Sequence, residues 1–289
     1  MPAYMLTIAY DGTDFAGWQR QPHKRTVQGE MELAWSVVTG EKVHAVASGR
    51  TDAGVHALGQ VVSVQSRACI PGERMRAALN RHLPEDIVVR DAAIVRDGFH
   101  AIREARRKRY RYLVQDGRLL DPLSKRSAWH VKYDLDADAM NRAGQLLVGT
   151  HDFASFETSG SQRLTTERTV FEVLVERPTD VDGGVSAYAF YAPICDPRRR
   201  LVIEVEADGF LYNMVRNIAG TLVAVGRGKH PESWVADVLA AKDRRKAGMA
   251  APPQGLYLLR VEYDPADLAV ESDVDYGGDS NDDTEWPVE

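Results

Sequence analysis

Cysteine is almost missing from this chain of 289 residues, with only Cys69 and Cys195 present. Two cysteines without metal-ligand spacing exclude a disulfide scaffold and a zinc ribbon, and make a reducing cytoplasm the expected compartment. No apolar run approaches the ~20 residues needed to cross a bilayer. Met1-Pro2-Ala3-Tyr4 leads straight into a strand pattern, so no targeting segment is expected. Gly-rich loops of the Walker or dinucleotide kind are absent, as is a Gly-x-Ser-x-Gly elbow. The eight histidines are scattered and contain no His-x-x-x-His pair. P-loop, Rossmann, serine-hydrolase and zincin chemistry therefore lack their carriers.

The net charge of −6 hides an uneven distribution. Residues 264–289 hold 10 of the 42 acidic residues and no Lys or Arg, which leaves 32 acidic against 36 basic residues and a body of +4. Basic residues cluster at Arg103, Arg106, Arg107, Lys108, Arg109 and Arg111, at Arg198-Arg199-Arg200, and from Lys242 to Lys246. Several such clusters suit a polyanionic partner. The acidic tail is poor in apolar residues and reads as disordered.

Periodicity gives one pattern twice. Met5–Tyr10 alternates as a strand, and Thr26 caps a helix carrying Val27, Met31, Ala34, Val37 and Val38 up to Gly40. Strands over Val43–Ala47 and Gln60–Gln65, a helix from Pro71 to about Arg81 and a strand over Ile87–Val95 complete a β-α-β-β-α-β order. The second round has strands at Arg109–Gln115, Val170–Glu176, Leu201–Glu206 and Leu256–Tyr263. Its helices span 137–148, 211–225 and 231–241. The expected fold is α+β, with two ferredoxin-like subdomains, residues 1–104 and 105–263. Their mainly antiparallel sheets lie side by side around a central cleft, with a long hairpin loop over 177–200 and the tail 264–289.

Chemistry-bearing residues are few. Ser48-Gly49-Arg50-Thr51-Asp52-Ala53-Gly54 is a glycine-flanked turn between strands. Asp52 either caps that turn or is aimed out of the sheet edge. Arg216 is the one charged residue between Leu211 and Val225, so it either reaches water at the helix edge or meets a carboxylate, with Asp52 the candidate across the cleft. Such a pairing would keep Asp52 ionised. Tyr110 and Tyr112 share one face of a strand beside the basic cluster, as core residues or as a platform for an unpaired base. No second Asp or Glu stands at metal-binding spacing near Asp52, so the residues offer no support for metal chemistry there.

Taken together, these residues resemble the TruA-type tRNA pseudouridine synthases. The resemblance runs from about Met5 to Tyr263. It is carried by Tyr10-Asp11-Gly12-Thr13, Gly17-Trp18-Gln19-Arg20-Gln21-Pro22, Ala47 to Ala57, Phe99-His100-Ala101, Arg109-Tyr110-Arg111-Tyr112, His151-Asp152-Phe153, Asp208 to Gly220 and Ala251 to Leu256. It implies an isomerase that converts uridine to pseudouridine at positions 38 to 40 of the tRNA anticodon arm, by flipping out the nucleotide. The implied roles are Asp52 as nucleophile, Arg216 as its partner and Tyr110 stacked on the flipped base. Arg50 fills the vacated place, and Lys108, Arg109 and Arg111 help bind the substrate. The resemblance also implies a homodimer working without metal or organic cofactor. The chain departs from the family pattern after Phe99-His100-Ala101, where Ile102-Arg103 replaces an Arg followed by an apolar residue. Three rival readings are an RNA-binding module on the same scaffold, which needs no carboxylate in the cleft, an Asp-dependent phosphotransfer enzyme, which needs Mg²⁺ and further carboxylates, and a synthase of the same class acting on other tRNA positions.

Overall fold

Alternation in the first strand, β1 (Ala3–Tyr10), sends Tyr4, Leu6 and Ile8 to one face, where all three are fully buried. A computed structural model describes residues 3–158, 165–178 and 197–268. After β1 come α1 (Val27–Thr39), β2 (Val46–Ala47), β3 (His56–Gln65), α2 (Gly72–His82) and β4 (Ile87–Val95). Thr26 caps α1, its hydroxyl accepting from the Gly29 N–H, and Gly40 closes the helix at φ 74°. The second half contains β5 (Ala105–Asp116), β6 (Trp129–Val131), α3 (Ala137–Gln145), β7 (Gly149–Asp152), β8 (Glu167–Glu176), β9 (Arg200–Ala207), α4 (Met214–Gly226), α5 (Trp234–Ala241), β10 (Leu256–Tyr263) and α6 (Pro265–Leu268).

The ten strands form one mainly antiparallel sheet, β4-β1-β3-β10-β5-β9-β8-β7, with β2 on β3 and β6 on β5. The expectation of two sheets side by side is corrected here. The two halves are hydrogen-bonded into one sheet because Tyr257 and Leu258 of β10 pair in parallel with His56 and Ala57 of β3. Within each half the strand order repeats, β4-β1-β3-β2 and then β10-β5-β9-β8. One apolar core runs beneath both halves, from Leu6, Trp35 and Met75 to Tyr112, Ile203 and Leu222.

Other departures are local. The strand expected over Val43–Ala47 forms only at Val46–Ala47. Helix α4 begins at Met214, three residues later than expected, because Asn213 sits in the left-handed region at φ 60° and breaks the helical run. Most of the expected 177–200 loop (179–196) and most of the acidic tail (269–289) lie outside the described residues.

Candidate active site

The turn between β2 and β3 lies on the sheet face that carries Lys108 and Tyr110, opposite the N-terminal end of α4. Together they bound a cleft of about 850 Å³, lined also by Val55, Phe210, Leu211, Met214 and Leu256. Gly54 at φ +78° closes the turn in a conformation that side chains rarely adopt, and a Cβ there would press on Pro253. The Asp52 carbonyl accepts from the Val55 N–H at 3.1 Å, and the Thr51 carbonyl accepts from the Trp18 N–H at 2.9 Å. Arg50 stays exposed at the rim, while Asp52 points inward with a third of its side chain exposed. Gly49 is not in the left-handed region, so only one of the two flanking glycines is required by backbone angle.

Asp52 and Arg216, far apart in sequence, meet across the cleft with Oδ2 and a guanidinium nitrogen 3.6 Å apart. Arg216 is held in place by two further contacts. Its Nε donates to the Ala251 carbonyl at 2.7 Å and another guanidinium nitrogen donates to Asn213 Oδ1 at 2.8 Å. Ala251 returns an N–H to the Arg216 carbonyl at 3.0 Å. Desolvation in the cleft raises the Asp52 carboxyl from its ordinary value, and Arg216 opposes that rise without cancelling it. Burial, and not the Arg216 charge, has the larger effect on this carboxyl.

Tyr110 lies in the cleft wall, its ring edge-on to Phe210 at 5.0 Å and 83°. Tyr112, on the same face, is fully buried, and its hydroxyl donates to the Pro252 carbonyl at 2.5 Å. Lys108 also faces the cleft, and its ammonium donates to the Ser48 carbonyl at 2.6 Å. Alternation sends Arg109 and Arg111 to the opposite face of β5. There Arg109 bonds Glu204 and Glu206 at 2.8 Å each and also pairs with Glu172, while Arg111 donates from Nε to Glu204 at 2.8 Å. The structure thus brings Asp52, Arg216, Tyr110, Arg50 and Lys108 into one cleft and leaves Arg109 and Arg111 outside it.

Four residues in or beneath the cleft were not expected there from sequence. Ile102 and Tyr212 stand half exposed at the rim, one from each half of the chain. Gln60 and Tyr10 support the turn from beneath: Gln60 donates to the Gly49 carbonyl at 2.8 Å, and Tyr10 shares a 2.8 Å bond with the Thr51 hydroxyl. Burial pushes the Tyr10 hydroxyl up to about 12. Polar residues in an otherwise apolar strand were the available signal. His56, next to the turn, is a structural residue, stacked on Tyr257 at 4.6 Å with Nδ1 3.1 Å from Asp11. Among the described residues no three His, Cys, Asp or Glu side chains gather as a metal site, and no helix is long and apolar enough to cross a membrane.

Comparison with known proteins places the chain in one family. A family model described as tRNA pseudouridine synthase matches residues 6–102 and 143–264. A tRNA pseudouridine synthase A of Moorella thermoacetica is 45% identical over 265 residues, covering 91% of this chain and all of that one. The tRNA pseudouridine synthase A of Thermoanaerobacter sp. strain X514 is 44% identical over 259 residues, 90% of this chain and 98% of its own. That of Brevibacillus brevis is 43% identical over 263 residues, with 91% and 100% covered.

Proposed function

The chain belongs to the tRNA pseudouridine synthase family, whose members isomerise uridine in tRNA, and from that membership we propose that it acts at positions 38 to 40 of the anticodon arm with Asp52 as nucleophile. The meeting of Asp52 with Arg216 beside Tyr110 in one cleft carries this reading.

Isomerisation breaks the N1–C1′ bond, turns the base and rejoins it through C5, which loses its proton while N1 gains one. A stacked, paired uridine cannot turn, so it must leave the helix, at a cost of a few kcal/mol. Arg50, exposed at the rim, takes the vacated place, and Tyr110 packs on the extruded base. The Asp52 carboxylate then attacks the nucleotide, and Arg216 offsets the cost of holding that charge out of water. Lys108 adds positive charge to the cleft for the RNA backbone. Arg109 and Arg111, engaged by glutamates on the far face, are left out of this assignment.

Around this chemistry we place two ferredoxin-like subdomains, residues 1–104 and 105–263, in a cytoplasmic homodimer that needs no metal. The repeated strand order supports the first point, and family resemblance supports the rest.

The test is tritium release from tRNA labelled at uridine C5, with and without EDTA, comparing wild type with Asp52→Asn. Release that is insensitive to EDTA, lost in the variant and lost from tRNAs lacking uridine at 38 to 40 is the expected result. Substantial release by Asp52→Asn would overturn the nucleophile assignment. Release from tRNAs lacking those uridines would overturn the positions alone.

A further inference from the structure

The face of β3 turned toward the core carries Val62 and Val64 and then, nearest the turn, Gln60, which is completely buried. An apolar residue is the default there, since a buried amide without partners costs about 1–3 kcal/mol. Gln60 is satisfied almost wholly by the turn above it. Its Nε2 donates to the Gly49 carbonyl at 2.8 Å, and its Oε1 accepts from the Ser48 hydroxyl at 2.7 Å. The same Nε2 lies 3.5 Å from the Tyr10 hydroxyl, which bonds Thr51 at 2.8 Å. Lys108, reaching over from β5 in the other half, binds the Ser48 carbonyl at 2.6 Å. Ser48, Gly49 and Thr51 are thus fixed from below, and the two residues left to project are Arg50 and Asp52.

We propose that Gln60 is a positioning residue for the reaction, holding the Arg50–Asp52 turn from beneath so that Asp52 faces Arg216 across the cleft. Lys108 completes the clamp by tying the turn to the half of the chain that supplies Arg216 and Tyr110. This rests on Asp52 carrying the chemistry. Gln60 itself touches no substrate; it acts through the backbone of the turn. Misplacing a reacting group by about 1 Å costs on the order of 100-fold in rate. Loss of Gln60 should therefore fall on turnover and leave RNA affinity nearly unchanged.

The experiment compares Gln60→Met, which keeps side-chain length but removes the amide, with Gln115→Met and Asp52→Asn, all in the full chain. Gln115 is an equally suitable buried amide outside the cleft, bonding the Leu119 carbonyl, the Asp121 N–H and the Ser124 hydroxyl at 2.9–3.1 Å. Single-turnover rate, KM for tRNA and the pH profile are measured well below each variant's melting temperature. For Gln60→Met the expected result is a rate loss of tenfold or more with KM within about twofold. Its acid limb should also move to lower pH as water reaches Asp52. Gln115→Met should be destabilised to a similar degree with rate and pH limb unchanged. A Gln60→Met rate within about twofold of wild type, or equal rate losses in both glutamine variants, would overturn the clamp while an inactive Asp52→Asn leaves the proposed chemistry standing. Full activity in Asp52→Asn would remove the chemistry and the clamp with it.

Discussion

Arg111→Met decides whether the basic run of β5 binds RNA or braces the sheet. Arg111 is 8% exposed, and its Nε and a terminal nitrogen reach one oxygen of Glu204 at 2.8 and 2.5 Å. Glu204 is itself 3% exposed, so the substitution strands a buried carboxylate on that side. Removing one partner of a buried pair costs about 3–5 kcal/mol. Glu204 keeps its 2.8 Å bond from Arg109 through its other oxygen, which brings the expected loss below that range, to roughly 2–3 kcal/mol. At about 2–4 °C per kcal/mol for a chain of this class, the melting temperature should fall by roughly 4–12 °C. Calorimetry or thermal circular dichroism reads this directly, and KM for tRNA, measured well below the transition, should stay within about twofold. A melting temperature within ~2 °C of wild type, accompanied by a several-fold rise in KM, would refute the bracing argument and return Arg111 to the substrate.

The remaining predictions concern charge. Because burial raises the Asp52 carboxyl, the acid limb of the single-turnover rate should lie above the ordinary aspartate value of about 3.9, and a limb at or below that value in a rate–pH profile would contradict the desolvated geometry. The same shift fixes a sign for stability. A folded-state pKa above the unfolded one is a contribution present at low pH and lost as pH rises, so Asp52→Asn should melt higher than wild type at pH 7, and the gap should vanish in acid. Arg216→Ala should lose turnover and, with the Ala251 carbonyl and Asn213 left unpartnered, roughly 2–3 kcal/mol of stability; a stable, active variant by denaturant melts and tritium release would exclude the pairing. Truncation after Leu268, which keeps the Arg96–Asp267 pair at 3.1 Å, should tighten tRNA binding at low salt if the acidic tail competes for the basic surface, and unchanged filter-binding affinity would refute that competition.

Much of the fold was legible because its signals are local. Thr26 and Gly40 mark the ends of α1, and the bounds expected for β4 and β10 are the bounds observed. β6 and β7, at three and four residues, are too short for a period to register. The fusion of the two halves into one sheet rests on only two residue pairs between β3 and β10, a long-range event with no local trace. At the site, Asp52, Arg216 and Tyr110 stood out as residues at odds with their surroundings. Arg109 and Arg111 were grouped with Lys108 because a run of basic residues looks uniform in one dimension, whereas strand alternation divides it between faces. Its neutralising partners, Glu172, Glu204 and Glu206, come from strands more than sixty residues downstream. Gln60 stood out only as a polar residue in an apolar strand, and nothing in sequence says which carbonyl a buried amide will find.

The seam between β3 and β10 also sets an order of events during synthesis. Asp52 and its turn emerge with the first half of the chain, but β10 is the last strand of the sheet to be made. At about 5–20 residues per second, the nascent protein spends roughly 8–30 s with a complete first half and no β10 to join it to the second. Arg216 is made 40 residues before β10 begins, but until β10 is added the cleft lacks Leu256 in its lining. A chain stopped before β10 therefore carries Asp52 on its turn without the strand that joins the two halves.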